Sequence, residues 1–328
     1  MALSVIRFDM RVPGLEPVEI AERYAAAVDM ARWADQVGFD MVVLSEHHAS
    51  PDGYLPSPLL LGAAIASVTE RIPMNVAALL VPLHDPLRLA EDLAVLDHLS
   101  KGRISFVAGL GYRPIEYAMF GREWTKRGRR LDQCLDLMLQ AWTGEPFELD
   151  GETVQVTPKP YQAPHPMIFI GGSGPKSAER AARFGFGYFP SAGDPALAEH
   201  YRAECARLGK PEGIVALPSG PGSVFVAEDP DKAWAEVGPY LLHDATTYHQ
   251  WQGGQRSHVH SHASTIDELR AEGIYQILTP EQTIETARSL DLMGAITHHP
   301  LCGGTPPELA WQSLELFADR VLPALREG

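Results

Sequence analysis

The sequence is short of positive charge. Lys and Arg number 27 against 42 Asp and Glu in 328 residues, which gives a formal net charge of −15 at pH 7. This surplus repels the phosphate backbone of nucleic acids and anionic lipid surfaces, so neither is an expected partner. A phosphorylated small molecule would still bind where a helix N-terminus or a local group of basic side chains offsets the overall charge.

Cysteines and long apolar runs are equally scarce. Cys134, Cys205 and Cys302 are far apart and lack C-x-x-C spacing, which favours free thiols in a reducing compartment. No run of about 18 apolar residues is present, so no membrane span is expected. The first residues also lack the basic segment and apolar core of a secretory signal. Together these absences predict a cytoplasmic protein.

Short apolar runs alternate with helical patterns along the chain. Eight strands are predicted, at Leu3–Phe8, Asp40–Ser45, Met74–Leu80, Ile104–Gly109, Met167–Ile170, Phe186–Pro190, Ser223–Val226 and Gly294–Thr297. Helices are predicted over residues 17–37, 57–69, 86–99, 126–142, 175–184, 195–208, 230–242 and 306–325, with an extra one near 280–291. This alternation predicts one α/β domain over residues 1–328, a (β/α)8 TIM barrel rather than an open doubly wound sheet.

One segment interrupts the alternation. Residues 243–279 are polar, rich in His and longer than an ordinary connection, which predicts an inserted mobile segment before strand eight. We expect the greatest mobility around residues 249–265 and interpret the segment as a lid, with Trp251, Tyr248 and Tyr275 closing over substrate. The alternating His258, His260 and His262 could bind a metal ion. A solvated loop is the favoured interpretation, and no metal site is predicted.

Polar and glycine-rich segments follow several predicted strands, where a TIM barrel carries its active site. After strand two, Ser45-Glu46-His47-His48 offers a carboxylate beside two histidines, which suits acid–base catalysis. After strand five, Gly171–Ser177 leads into a helix, and its glycines, Lys176 and the helix N-terminus suit a phosphate. An ordinary hydrogen-bonded turn is the alternative at both places. His298 ends strand eight and is expected to point to the barrel mouth, with a packed turn as the alternative.

Several segments together resemble the bacterial-luciferase-like flavin-dependent monooxygenases. The resemblance covers nearly the whole chain outside 243–279. It rests on Leu44–His48, Leu89–Leu93, Leu96–Arg103, Gly109–Gly111, Glu116, Phe120-Gly121, Ile170–Gly174, Ala181–Gly185, Gly303–Leu309, Leu316-Phe317 and Val321–Pro323.

The resemblance implies roles for particular residues. His47, with Glu46 beside it, would manage protons near the reactive edge of a flavin. A non-prolyl cis peptide bond or a bulge is expected at Ala77–Ala78. The implied cofactor-binding residues are Ala77, Ala78, Gly109, Leu110, Gly111, Gly172, Ser173, Gly174, Lys176, Ser177 and Arg130, with Arg129 as the alternative to Arg130. The expected substrate-contacting residues are His48, Tyr112, Trp251 and His298.

The resemblance also implies a reaction. Reduced FMN, supplied by a separate flavin reductase, would react with molecular oxygen and oxygenate a small organic substrate through a flavin hydroperoxide. A homodimer packed through the second and third helices is implied as well. Two alternatives stay open: an oxidoreductase that transfers a hydride with coenzyme F-420, and a non-catalytic flavin-binding barrel. Gly109 and Leu110 replace a reactive cysteine and an arginine of luciferase itself, so neither light emission nor a long-chain aldehyde substrate is expected.

Overall fold

Strands and helices alternate along the whole chain. The computed structural model describes residues 2–252, 257–258, 261–291 and 294–326. Its strands are β1 (Leu3–Phe8), β2 (Met41–Leu44), β3 (Met74–Leu79), β4 (Ile104–Ala108), β5 (Phe147–Leu149), β6 (Glu152–Val154), β7 (Met167–Gly172), β8 (Gly187–Pro190), β9 (Ser223–Val226), β10 (Tyr275–Leu278) and β11 (Ala295–His298). Strands β5 and β6 form a separate antiparallel hairpin, and the other nine form one parallel sheet.

The parallel sheet has the strand order of a TIM barrel, and its strands include all eight predicted ones. The order is β10-β9-β11-β1-β2-β3-β4-β7-β8, so the last strand pairs with the first. Residues 214–219 contact β8, at one end of this order, and β11, near the other end. Tyr188 in β8 forms a bridge with Val215, and the Ala295 N–H of β11 donates to the Ser219 carbonyl at 3.4 Å. The predicted TIM-barrel fold is therefore confirmed, with β10 as an additional strand beside β9.

Helices follow the strands and cover the outside of the sheet. They are α1 (Pro17–Val37), α2 (Pro58–Val68), α3 (Pro86–Ser100), α4 (Pro114–Met119), α5 (Arg127–Trp142), α6 (Pro175–Phe184), α7 (Pro195–Leu208), α8 (Pro230–Gln252), α9 (Ile266–Glu272), α10 (Pro280–Ser289), α11 (Pro307–Leu316) and α12 (Leu322–Arg326), with a π-helical turn at Phe317–Val321 between the last two. Proline is preorganised for the first helical position and begins nine of them. Gly38 ends α1 in the left-handed conformation, and Thr279 and Gln282 form the predicted capping box of α10.

Apolar side chains fill the layer between sheet and helices. Ile6 and Phe8 of β1 and Leu44 of β2 are fully buried there, together with Leu135 and Met138 of α5. Several inward-facing positions carry small residues, among them Ser45, Ala77, Ser105 and Gly109, beside larger ones such as Met41 and Phe169. The small side chains leave part of the barrel interior open.

The prediction that residues 243–279 form one irregular insertion is wrong. Helix α8 continues to Gln252 because Leu241, Ala245 and Tyr248 keep a buried apolar face at helical spacing. The same stretch also contains α9 and strand β10. Tyr275 begins β10 and is buried, with its hydroxyl donating to Asp244 at 2.7 Å, so it does not close over a substrate. Residues 253–256 and 259–260, where the greatest mobility is predicted, lie outside the described residues.

None of the helices in the described ranges combines the length and the apolar character that a membrane crossing needs.

Candidate active site

A cavity of about 970 Å³ occupies the barrel interior. Its wall includes Glu46 and His47 after β2, Gly111 after β4 and Ser173 after β7. Because parallel strands all end at the same rim of a barrel, these residues lie at one end of it, as predicted. His298 ends β11 at the same rim, but it does not line the cavity.

His47 is held between a carboxylate and a phenol. Its Nδ1 lies 2.8 Å from Glu116 Oε1, and the Tyr112 hydroxyl lies 3.1 Å from its Nε2. Burial lowers the pKa of His47, and the Glu116 carboxylate offsets this only in part. A neutral imidazole that donates its Nδ1–H to Glu116 keeps a lone pair on Nε2. Nε2 can therefore accept a proton at the cavity wall, as a general base does.

Glu116 comes from helix α4 and is fully buried. Its Oε1 also accepts the His48 N–H at 3.1 Å and lies 3.3 Å from an amino nitrogen of Arg113. Since an ionised carboxylate is acceptor-only, it fixes which nitrogen of His47 carries the proton. Glu116 belongs to the segments that resemble the family, but the sequence alone does not indicate its role. The pairing follows from tertiary contact between α4 and the end of β2, which local spacing does not reveal.

Glu46 is committed to hydrogen bonds at both oxygens. Oε1 accepts from His48 at 2.9 Å and from His84 at 2.7 Å, and Oε2 accepts the Leu80 N–H at 2.5 Å. Burial alone would raise the pKa of Glu46, but these bonds and the charge of His84 lower it to about 2. A carboxylate that stays ionised at pH 7 is poorly suited to donate a proton. The geometry therefore suits Glu46 to positioning its neighbours.

The end of helix α8 packs over His47. The Trp251 ring lies 5.1 Å from the His47 ring, and the Arg113 guanidinium lies 3.9 Å from the centre of the Trp251 ring. Trp251 and His48 do not line the cavity, although both were expected at the substrate. His48 instead packs on Phe120, with 4.6 Å between the ring centres. Tyr112 does line the cavity.

Small residues of β3 and β4 form one part of the cavity wall. The Ala77–Ala78 peptide bond is cis and the pairing with β4 shifts register between Ala77 and Leu79, so the predicted irregularity is confirmed. A Cβ atom at Gly109 would lie 2.7 Å from the Ala78 Cβ, which leaves no room for a side chain. Ala77, Ala78, Gly109, Leu110 and Gly111 all line the cavity. This part of the wall can accommodate a flat ring.

A glycine-rich turn forms another part of the wall. It runs from Gly172 at the end of β7 through Ser173 and Gly174 into α6, and it lines the cavity as far as Lys176 and Ser177. Gly172 has φ of 148°, and a Cβ there would lie 2.7 Å from that of Ser177. The Ser177 hydroxyl donates to the Gly174 carbonyl at 2.6 Å, which stabilises the turn. The helix N-terminus and Lys176 together favour an anion here.

Two further residues expected at the site lie elsewhere. The Arg130 guanidinium donates to the carbonyls of Pro82 and His84 at 2.6 and 2.8 Å and does not line the cavity. Arg127 and Arg180 line the cavity beside the turn in its place. His298 lies on the outer face of β11 between Phe39 and Phe317, because strand residues alternate between faces and Thr297 takes the inward one. Burial lowers the pKa of His298 to about 3.

A buried charged cluster lies under the α8 end. Asp9, Asp244, His299 and Cys302 place donor atoms within 4.8 Å of one another, which is a spacing that metal ligands can have. Arg11 pairs with Asp9 at 3.2 Å and Asp244 at 3.0 Å. Its guanidinium therefore already supplies positive charge to these carboxylates. Of the three histidines considered as metal ligands, His260 lies outside the described residues.

Comparison with known proteins agrees with this geometry. The family model for luciferase-like monooxygenases matches residues 4–317. The chain belongs to this family. Among relatives of the luciferase-like family, the alkanal monooxygenase alpha chain of Photorhabdus laumondii is 29% identical over 179 residues, which are 53% of this chain and 49% of that protein. The chain spans about half the length of the first curated relatives it matches.

Solved structures of two monooxygenases and a dehydrogenase share the fold over nearly the whole chain. A monooxygenase from Streptomyces bottropensis has a TM-score of 0.79 at 24% identity and covers 99% of this chain and 100% of that one. The oxygenating constituent of 3,6-diketocamphane monooxygenase from Pseudomonas putida, solved with FMN, has a TM-score of 0.73 at 22% identity and covers 98% of each chain. An F420-dependent secondary alcohol dehydrogenase has a TM-score of 0.67 at 18% identity and covers 99% of this chain and 100% of that one.

Proposed function

We propose that this luciferase-like protein is the oxygenase component of a two-component monooxygenase. It would take reduced FMN from a separate flavin reductase and oxygenate a small organic substrate. The observation that carries the proposal is one cavity with three features in its wall: the His47–Glu116 pair, the small-residue wall at Ala77–Ala78, and the anion-favouring turn before α6. Family membership supports an enzyme of this type.

The residues of the cavity fit FMN. A flat ring would lie against Ala77, Ala78 and Gly109. The backbone is closely packed at Gly109, since a Cβ there would lie 2.7 Å from the Ala78 Cβ. The phosphate would bind at Ser173, Gly174, Lys176 and Ser177, with Arg127 contributing charge in place of Arg130. Arg180 lies at the same wall, but Asp132 accepts from its Nε at 2.6 Å and neutralises part of its charge. A local positive region of this kind can hold a phosphate despite the net charge of −15.

Reduced FMN, when bound, would supply the two electrons for oxygen activation, so that one oxygen atom enters the substrate and the other leaves as water. His47 would hold or accept a proton at Nε2, and Glu116 would keep Nδ1 protonated and the ring oriented. Tyr112, which contacts Nε2, would contact substrate or relay the proton. Glu46 would hold the loop behind His47 through His48 and His84.

We also propose the homodimer that the family resemblance implies. Helices α2 and α3 are its expected interface, and both expose apolar side chains. Leu60 of α2 is 74% exposed, and Val95 and Leu99 of α3 are 47% and 49% exposed. Exposed apolar groups on adjacent helices are typical of a protein interface. Leu60→Glu should therefore convert a dimer to monomer in sedimentation velocity, and a wild-type monomer would refute the interface.

The reaction is tested by supplying reduced FMN from an added flavin reductase under labelled dioxygen, with a panel of small organic compounds. We expect a product that carries one labelled oxygen atom, and we expect His47→Ala to lower its rate of formation by about 10²–10⁴. Product formation without oxygen but with coenzyme F-420 would establish hydride transfer instead. Binding of FMN without turnover of any compound would favour the non-catalytic barrel.

A further inference from the structure

Arg7 places a positive charge inside the barrel. It lies on β1 with its side chain directed inward, where it lines the same cavity as His47. One amino nitrogen donates to the Tyr248 hydroxyl at 2.9 Å and lies 3.5 Å from the Tyr54 hydroxyl. Its Nε–H is buried and has no hydrogen-bond partner among the described residues. Arginine stays protonated in proteins, so this cation is present at any working pH.

No carboxylate pairs with Arg7 in the part of the chain that the structure describes. The neighbouring Arg11 shows the contrast, since Asp9, Asp52 and Asp244 all lie within 3.2 Å of its nitrogens. Asp244 is thereby engaged with Arg11 and also accepts from Tyr275. Arg7 is half-buried, and a charge largely removed from water without an ionic partner is costly, so proteins normally pair such groups. Arg7 therefore lacks the partner that Arg11 has.

Two further polar side chains with unsatisfied atoms line the cavity near Arg7. Asn75 is 4% exposed and Gln252 is 6% exposed, and the side-chain oxygen of each is buried without a partner among the described residues. Arg7, Val43 and Asn75 lie in one hydrogen-bonded row across β1, β2 and β3, which puts Asn75 about 10 Å from Arg7 between Cα atoms. Gln252 follows Tyr248 by four residues on α8 and so shares its face.

We propose that Arg7, with Asn75 and Gln252, forms the subsite that binds a carboxylate of the substrate. This deepens the proposed function, on which it rests, by naming the substrate class as an organic acid. A guanidinium binds a planar carboxylate through two parallel N–H donors, and the amide groups can turn their N–H₂ toward the same anion. The carboxylate would supply the counter-charge that Arg7 lacks. The rest of the acid would extend along the wall formed by Tyr54, Tyr112 and Phe169.

The subsite is separate from the anion-favouring turn before α6. That turn follows β7, whereas Arg7 lies on β1, and three strands stand between them in the sheet order. A phosphate at Lys176 and a carboxylate at Arg7 can therefore be bound by different groups of one cavity.

The experiment is calorimetric titration of the FMN-loaded protein with matched pairs of acid and amide. The probes are benzoate and benzamide, phenylacetate and phenylacetamide, and hexanoate and hexanamide. We expect at least one acid to bind about tenfold or more tightly than its amide, since the amide cannot supply charge to Arg7. Arg7→Met should remove this preference, and Arg7→Lys should retain part of it. Arg32→Met, a matched control at an exposed arginine of α1 that does not line the cavity, should leave the preference unchanged.

Asn75→Asp gives a second test that keeps Arg7 in place. The new carboxylate would pair with Arg7, so we expect it to weaken binding of the acids while leaving the amides within about twofold. Melting curves of each variant verify folding. The proposal is overturned if no acid in the panel is preferred over its amide in the wild type, or if the preference persists in Arg7→Met.

Titration of FMN, of coenzyme F-420 and of the same acids and amides into the unloaded protein separates this proposal from the proposed function. Binding of FMN without any preference for acids would refute the carboxylate subsite alone. A preference for acids that depends on Arg7, in a protein that binds neither FMN nor F-420, would refute the proposed reaction and leave the subsite established.

Discussion

Replacing Glu116 by Gln should disturb the protonation of His47 without removing a side chain from the site. The wild-type carboxylate can only accept hydrogen bonds, and its Oε1 lies 2.8 Å from His47 Nδ1. Neutral His47 must then carry its proton on Nδ1. The amide of Gln offers a donor as well as an acceptor, so either nitrogen of His47 can carry the proton in the variant.

The magnitude follows from the strength of a charge-assisted hydrogen bond. Such a bond contributes about 1.5–3 kcal/mol, which favours the Nδ1–H tautomer by about 10- to 150-fold. In Glu116→Gln the bond is neutral and most of this preference disappears. The pKa of His47 should also fall further, because burial already lowers it and Glu116 is the group that raises it. If Nε2 is the working base, turnover should drop by a similar factor of about 10–100.

The assay is ¹⁵N-edited NMR of ring-labelled histidine, with His47→Ala used to assign the signals. It reports the tautomer and the pKa directly and requires neither substrate nor cofactor. We expect an Nδ1–H tautomer in the wild type at pH 7 and a mixture in Glu116→Gln. A wild-type His47 that is protonated at pH 7, or that carries its proton on Nε2, would refute the assignment of His47 as a base oriented by Glu116.

Three further substitutions test the packing around the site. Burial lowers the pKa of His298 from 6.5 to about 3, so the wild-type protein should lose stability as the pH falls below 6.5. The expected loss is about 2 kcal/mol at pH 5. His298→Phe should remove this pH-dependent loss. Denaturant unfolding at pH 7.5 and pH 5 checks this, and equal pH dependence in both proteins would contradict it. The folded protein lowers the pKa of Glu46 from 4.5 to about 2, so the ionised carboxylate stabilises the fold at any pH above 4.5. This stabilisation is lost as the pH falls toward 2. Glu46→Gln should therefore lower the free energy of unfolding at pH 7 by about 3 kcal/mol. A change below about 0.5 kcal/mol would show that these hydrogen bonds are not stabilising. Gly109→Ala should weaken FMN binding by about tenfold or more, since its Cβ would lie 2.7 Å from Ala78 Cβ and overpacking costs about 1–3 kcal/mol. Unchanged affinity in a fluorescence titration would remove this wall from the cofactor site.

The strand pattern could be predicted from the sequence because buried parallel strands are continuous apolar runs bounded by turns. The additional strand β10 was missed because Tyr275–Leu278 is short and follows a polar stretch. Polar residues also shorten the predicted helix α8, which ends at residue 242 and not at Gln252. Its last turns carry polar side chains such as Asp244 and Gln252, and these are buried only because Arg11 and the cavity lie opposite them.

The candidate site was predictable where it follows the ends of strands and not where it depends on side-chain direction. His47 and the Gly172–Ser177 turn could be placed because TIM barrels expose those positions. The sequence predicts that His298 faces the cavity, but successive strand residues alternate between faces, and Thr297, one position earlier, is the residue that faces it. Glu116 lies on α4 and Arg7 on β1, far in sequence from the residues they contact. Their contacts with His47 and Tyr248 arise only from tertiary packing.

The proposed function requires that the cavity bind FMN with its phosphate at the turn before α6. Anaerobic titration of the protein with reduced FMN and with reduced riboflavin measures the contribution of that phosphate, with coenzyme F-420 as a third ligand. We expect reduced FMN to bind about 10- to 100-fold more tightly than riboflavin, and Lys176→Met to remove most of that difference. Equal affinity for FMN and riboflavin, or tight binding of F-420 with none of FMN, would show that this turn is not an FMN-phosphate site.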